Sequence, residues 1–438
     1  MDRKVTVLGA GASGMATAAY LTMEGWDVTL WDTPEQAGDF EVIRRQGGIL
    51  LRGGSGRTGC AMPRLTNDLA RALEGVERVI LCASAARHRE MAEWIAPLAR
   101  PGQLILLNPG NFGSFLLRQE LDALGKGDVV TAELCGCLWA CRRTAPGEVL
   151  AATPLKKSLR VAALPAGETE RVIEGFRGML PLEAGANVLE VSLNSPNVIS
   201  HVAGAVLNAG GIERKGEAFA FFLDGLGESA IRCFGVLEGE RDAVMARVGL
   251  RVYGPPSEGF MRTLLDRGSH PELDLFRGLD GPSGFTHRYV SEDAACGLAM
   301  LVSLGRRYGV PVPLTEAFLA IAGVLGGRDY AAQGRTLESH RLCPPGLPGR
   351  RSRAAQALVA PAGAKLPRTT ITIAGLVPKR TSPAVLLGRQ AAVFNSGVLV
   401  RMGPMAVCCS PDQEAQTAAG VRGRACLPKT ARCAPQAL

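Results

Sequence analysis

Hydrophobic positions along this chain follow two rhythms. Up to about residue 185, short continuous apolar runs alternate with stretches of helical spacing. The runs at 5–8, 27–31, 78–82, 103–107, 129–134 and 159–163 have the length of strands buried on both faces. Between several of them, 86–98, 113–124 and 168–180 repeat their apolar residues at a helical period. Strands alternating with helices predict an α/β, doubly wound parallel sheet. Past residue 186 the rhythm is helical throughout, with predicted helices at 196–209, 216–225, 227–236, 258–266, 291–308 and 314–325, punctuated by Gly and Pro. The expected organisation is a sheet domain over 1–185, an all-helical second domain over 186–340, and a separate tail over 341–438.

The first strand runs into Gly9-Ala10-Gly11-Ala12-Ser13-Gly14, and a helix follows, stopped by Gly25. A GxGxxG motif between strand and helix, with an acid closing the next strand, is the fingerprint of a Rossmann dinucleotide site. Gly9 permits the tight turn, Gly11 lets backbone approach a pyrophosphate, and Gly14 lets helix and strand pack closely. Ala12 and Ser13 open the helix, whose free N–H groups and positive dipole end suit phosphates. Asp32, 18 positions after Gly14, is expected to accept hydrogen bonds from the adenosine ribose. The implied cofactor is NAD or NADP, with Asp32 favouring NADH and Arg44 and Arg45 near enough in sequence to leave NADPH open.

Composition changes the picture mainly at the end of the chain. Residues 341–438 carry 14 Lys and Arg against 2 Asp and Glu, whereas 1–340 carry 35 against 39. The overall charge of +8 thus belongs to the tail, and the body gives no reason to expect a nucleic-acid partner. The tail also holds 11 of the 27 prolines, and reads as disordered, or as an extension foreign to the body. Twelve cysteines sit mostly in apolar contexts, and Cys135, Cys137 and Cys141 lack partners at zinc-like spacings. No metal is expected, and a reducing, cytoplasmic setting fits best. No apolar run approaches the ~18 residues of a membrane span. The oligomeric state stays open, a homodimer included.

The chemistry-bearing stretch is 194–213, NSPNVISHVAGAVLNAGGIE. Asn197, His201 and Asn208 fall on one face of an otherwise apolar helix. Such a polar stripe either finds partners or costs stability. A buried histidine satisfied by backbone is the plain alternative. Histidine can also protonate and polarise a carbon that receives hydride, and then needs a carboxylate to orient its ring. The segment Thr286-His287-Arg288-Tyr289-Val290-Ser291-Glu292-Asp293 offers one. Ser291 is expected to cap a helix to about Arg307, with Glu292 and Asp293 in its first turn, where acids also simply complement the helix dipole. Arg288 can clamp a substrate carboxylate. Arg142 and Arg143 read as a solvated pair or as further anion ligands.

These motifs resemble the octopine/nopaline (opine) dehydrogenase family over about residues 1–340. The resemblance rests on the N-terminal GAGASG; on Asn194-Ser195-Pro196-Asn197, His201 and Leu207-Asn208-Ala209-Gly210; and on His287-Arg288-Tyr289, Glu292-Asp293 and Gly297-Leu298. It implies a Rossmann domain followed by an all-helical one. It implies NAD(P)H-dependent reductive condensation of an α-keto acid with the amino group of an amino acid. It implies His201 as the catalytic histidine, Asp293 as its partner, Arg288 as the residue holding a substrate carboxylate, and Asn197 as a substrate contact; Asn208 is carried as a further substrate contact. Asp293 is expected to raise the pKa of His201. Two other readings remain open: a 2-hydroxy-acid or ketopantoate-like dehydrogenase, whose relatives rely on a lysine, and a regulatory protein that binds NAD(P) without turnover.

Overall fold

The apolar runs of the first half pair into a single eight-stranded sheet. The computed structural model describes residues 2–54 and 56–340; the expectation for the tail falls outside the described residues. In chain order the strands are β1 (Lys4–Leu8), β2 (Asp27–Trp31), β3 (Ile49–Gly53), β4 (Gly59–Ala61), β5 (Arg64–Thr66), β6 (Arg78–Leu81), β7 (Leu104–Leu107), β8 (Val130–Leu134), β9 (Cys141–Ala145), β10 (Glu148–Ala151), β11 (Leu159–Leu164) and β12 (Leu182–Ala184). The large sheet has the order β12-β11-β8-β7-β6-β1-β2-β5. Its strands run parallel from β5 to β8, while β11 pairs antiparallel with β8 and parallel with β12. The doubly wound Rossmann sheet expected from the sequence is therefore present, with one edge pair reversed. Connections leave β1 towards β2 on one side and reach β6 on the other. This order reversal opens a crevice at the carboxyl ends of β1 and β6, where α/β sheets bind ligands.

A second sheet, β4-β3-β10-β9, was not expected. Its strands are three to five residues long, and the apolar runs at 49–51 and 149–152 lie among glycines and charges that did not mark them as strands. The sequence did hold one clue: Pro146-Gly147 joins β9 to β10, and Gly147 turns at φ +73°.

From Val188 onward every regular element of the described chain is helical. The apolar core of this half is continuous with the sheet, because Phe112, Phe115, Ala162 and Leu164 pack into the same cluster as Val198, Val202 and Leu301. A buried carboxylate stitches the two halves together. Glu133 on β8 accepts hydrogen bonds from the Phe112 and Ser114 amides (3.0 and 2.8 Å) and from the Ser114 and Ser192 hydroxyls. It satisfies the start of the helix Gly113–Ala123 and fixes the first helix of the second half, Val188–Leu193. Among the described residues, no helix is long and apolar enough to cross a membrane.

Helix boundaries differ from expectation at two places. The stretch 216–225 is a 3-10 turn (Gly216–Ala218) and a short helix (Phe221–Asp224), while 227–236 lengthens into Glu228–Val248. Further on, the helix of the chemistry-bearing segment begins at Arg288, not after Ser291. His287 is its N-cap, and the Ser291 hydroxyl donates inside it to the Thr286 and His287 carbonyls. At Asp293–Leu298 the backbone widens into a π-helical turn before continuing as Ala299–Tyr308. Glu292 and Asp293 are therefore not first-turn acids complementing a dipole. They stand where a helix changes its winding, a feature common at functional sites.

Candidate active site

The turn after β1 is shaped by what its glycines leave out. A Cβ on Gly9 would meet the Cys82 carbonyl oxygen at 2.6 Å, and one on Gly14 the Gly9 carbonyl oxygen at 1.6 Å. At Gly11 nothing lies within 4 Å. Gly11, Ala12 and Ser13 line a cavity of about 780 Å³. The helix Ala12–Met23 begins there with no side chain capping its first N–H groups, so they are free for an anion. These features fit a dinucleotide phosphate.

Asp32 does not occupy the position expected of it. It is buried, its two oxygens accept from the Ala10 and Thr33 amides (2.6 and 2.7 Å), and it does not line the cavity. Two inward hydrogen bonds make it a clamp on the glycine turn. A preference for NADH does not follow from that geometry.

The helical half supplies the opposite wall. The helix Pro196–Leu207 starts with proline at its first position and presents Asn197, Ser200 and His201 to the cavity. The π-turned helix crosses it closely because Gly297 has no side chain; a Cβ there would lie 2.8 Å from Val198 Cγ2. This approach brings together two residues 92 positions apart: His201 Nδ1 and Asp293 Oδ2 lie 2.8 Å from each other, both buried. Nε2 of His201 has no hydrogen-bond partner among the described residues. The Tyr289 ring stacks on the imidazole at 3.6 Å and 10°. Arg142 donates to the Tyr289 hydroxyl (2.7 Å) and to the Asp280 carbonyl, holding that ring in place. Arg288 lies over the same ring at 5.2 Å and makes no hydrogen bond or ion pair among the described residues.

The electrostatics correct one expectation. Asp293 does push the His201 pKa up, but burial outweighs it and Arg288 and Arg142 add to the burial, so the net direction is down. The resting imidazole is neutral at neutral pH. Burial also lowers His287 to about 4, helped by the same two arginines. Glu292, next to Asp293, turns the other way and accepts from the Ala85 amide at 3.0 Å. Burial lifts its carboxyl to about 7, against the pull of Arg288. Among the described residues no group of three His, Cys, Asp or Glu is placed to hold a metal.

Asn208 is the residue the cavity does not use. Its amide donates to the Gly204 and Gly225 carbonyls (2.8 and 2.9 Å) at the end of the helix, and it opens on a different, smaller pocket. Seven residues from His201 is two turns, long enough for the stripe to leave the cavity behind. Tyr289 was visible in the sequence only as part of a motif; its stacking role had no local signal. Arg143 pairs with Asp39 on the far side of β9, away from the cavity.

The chain is similar to known proteins over both halves. Residues 184–325 match the alpha-helical domain of the NAD/NADP octopine/nopaline dehydrogenase family, and residues 5–159 match the ketopantoate reductase PanE/ApbA family. The opine dehydrogenase of Arthrobacter sp. (strain 1C) is 33% identical over 350 residues, covering 77% of this chain and 94% of that protein. Protein ocs of Agrobacterium tumefaciens (strain Ach5) is 24% identical with similar coverage. Among solved structures, an octopine dehydrogenase with NADH and pyruvate aligns with a TM-score of 0.58 at 19% identity, covering 77% of this chain and 95% of its own. The NADP+-bound yersinopine dehydrogenase gives 0.58 at 14% identity, covering 82% and 99%. The structural likenesses establish the fold. The 33% identity over most of the chain establishes the lineage: the protein belongs to the opine dehydrogenase family of NAD(P)-dependent oxidoreductases.

Proposed function

We propose that the protein catalyses NAD(P)H-dependent reductive condensation of an α-keto acid with the amino group of an amino acid, giving an N-(carboxyalkyl)amino acid. The observation that carries this reading is His201 on the wall of the same cavity that the glycine turn opens into, with buried Asp293 paired to it from behind. When bound, the reduced nicotinamide supplies hydride to the imine carbon.

The chain's own residues handle carboxylates and protons. Arg288 is unpaired and beside His201, which suits a keto-acid carboxylate. Asn197 has no hydrogen-bond partner among the described residues and adds a polar contact on the same wall. A neutral His201 takes a proton from the incoming ammonium group, freeing the amine lone pair to attack the keto carbon. Asp293 stabilises the imidazolium that results and fixes Nδ1 as the donor to itself, so that Nε2 does the transfer. Once the proton on the attacking nitrogen has passed to the alkoxide, the imidazolium returns its own proton to the carbinolamine hydroxyl, which leaves as water. The iminium carbon is then ready for hydride, and His201 is neutral again. The free state of the thiols among the described residues accords with a cytoplasmic setting.

The ketopantoate-like alternative asks for a lysine near the chemistry. The first lysine after His201, Lys215, pairs with Asp224 (2.7 Å) beside the smaller pocket, but Lys156 and Lys157 of the sheet half line the cavity itself, so substrate tests rather than the lysines separate the two readings. The decisive experiment follows NADH and NADPH oxidation with pyruvate, with and without a mixture of amino acids, and identifies the product by mass spectrometry. The expected product has the mass of both substrates less water plus two hydrogens. Oxidation that proceeds without an amine would move the protein to the hydroxy-acid class, and cofactor binding without consumption would make it a sensor.

A further inference from the structure

The cavity has an end that the chemistry above does not use. Beyond His201 a continuous line of rings leads outward: His201 to Phe221 (5.9 Å between centroids), Phe221 to Phe222 (5.0 Å), Phe222 to Phe276 (4.7 Å, stacked) and Phe276 to Phe260 (5.8 Å). Three separate helices supply the outer rings: Phe221–Asp224, Asp274–Arg277 and Ser257–Leu265. Met261 and Leu279 complete the lining, both buried. Phe260 is 45% exposed, an apolar ring held at the opening of the cavity.

The charges of the cavity are lopsided. Arg142, Lys156, Lys157 and Arg288 line it, and its one lining carboxylate is Glu292. Glu292 belongs to the opposite end, where it binds the Ala85 amide of the sheet half. A cationic side chain would gain cation–π contact with the rings but would enter a cavity lined by four cations and one carboxylate. An apolar side chain loses water against those rings and leaves the cations for the two carboxylates of the reacting pair. Lys156 and Lys157 make no hydrogen bond or ion pair among the described residues, so they are available for the second carboxylate.

From this geometry we infer that the amino-acid substrate carries a large uncharged apolar side chain, such as that of phenylalanine, methionine or leucine, seated on Phe222, Phe276 and Phe260. The inference rests on the condensation reading for its reaction, though not for its subsite. Burying such a side chain is worth roughly 1.5–3 kcal/mol, which is about a 10- to 150-fold preference.

The test has a binding arm and a turnover arm. Calorimetry on the enzyme with saturating NADPH or NADH, no keto acid added, compares L-phenylalanine, L-methionine, L-alanine, L-arginine and L-glutamate. Turnover with pyruvate repeats the panel. Phenylalanine and methionine should bind at least 10-fold tighter than arginine, and kcat/KM should follow the same order. In Phe260→Glu, a rim substitution that leaves the core intact, the ratio of phenylalanine to arginine should fall at least 10-fold. Arginine binding as tightly as phenylalanine, or an unchanged ratio in that variant, overturns the inference. If turnover is absent with every amine while the binding order holds, the condensation reading fails and the subsite stands.

Discussion

The two walls of the cavity are made in different ways. The sheet half offers backbone: a glycine turn, a helix N-terminus without a cap, and Asp32 spent on holding the turn. The helical half offers side chains gathered from distant positions: His201, Tyr289 and Arg288, with Asp293 behind His201. Backbone recognition tolerates most sequence change outside the glycines. Side-chain chemistry depends on a few atoms held within tenths of an ångström, and thus on every residue that sets how two helices cross. Damage to the second wall should therefore abolish chemistry and leave cofactor binding intact.

His201→Ala is the sharpest cut along that line. It removes the proton carrier and nothing from the glycine turn. Turnover should fall by about 10²–10⁴-fold, the usual worth of a positioned acid–base group, while the dissociation constant for the dinucleotide stays within about twofold. Stopped-flow rates and fluorescence titration of bound NAD(P)H measure both. A variant that loses cofactor binding in parallel would show that the two walls are not separable.

That same contrast explains what the sequence disclosed. The glycine turn is local, six consecutive residues between a strand and a helix, and its placement could be read directly. The His201–Asp293 pair is not local. Spacing put Asn197 and His201 on one face, but the same rule put Asn208 there, and two helical turns carried it past the end of the cavity. Residue chemistry offered Glu292 and Asp293 as candidate carboxylates, but only the family resemblance singled out Asp293, because no periodicity links positions 92 apart. The π turn that aims it, and the ring of Tyr289 stacked on His201, depend on tertiary packing. The small sheet was missed for the opposite reason, since its strands are local but so short that runs such as Ile49-Leu50-Leu51 do not stand out.

Asp293→Asn should cost less than loss of the histidine and should leave a signature in pH. The carboxylate opposes the burial that lowers His201. Without it the imidazole pKa drops further, so less imidazolium exists at any given pH to release water from the carbinolamine. The expected result is a fall in kcat of about 10²-fold at neutral pH, with the acid limb of the profile moved to lower pH. An unshifted limb would mean that burial and the two arginines set the proton affinity of His201 without Asp293.

Gly297→Ala tests the crossing of the two helices. The added methyl would sit 2.8 Å from Val198, and the helices must part to admit it, at about 1–3 kcal/mol. Separation draws Asp293 from His201, so kcat should fall with KM for cofactor unchanged. Val198→Ala in the same chain makes room for the methyl and should restore much of the rate. If the single variant is fully active, the close approach is packing alone and does not position the pair.

The smallest effect belongs to Asn208, and it separates helix geometry from chemistry. Asn208 lies on the same helical face as His201 in sequence, yet its amide is spent on the Gly204 and Gly225 carbonyls. Asn208→Ala leaves those carbonyls without that donor at a partly buried helix end. The melting temperature should drop by a few degrees, in keeping with about 1–2 kcal/mol for lost hydrogen bonds. Michaelis constants for keto acid and amino acid should not move, because the residue faces a different pocket. A raised KM with unchanged stability would return Asn208 to the substrate and would mean that the helix Pro196–Leu207 turns on binding to bring its last residue into the cavity.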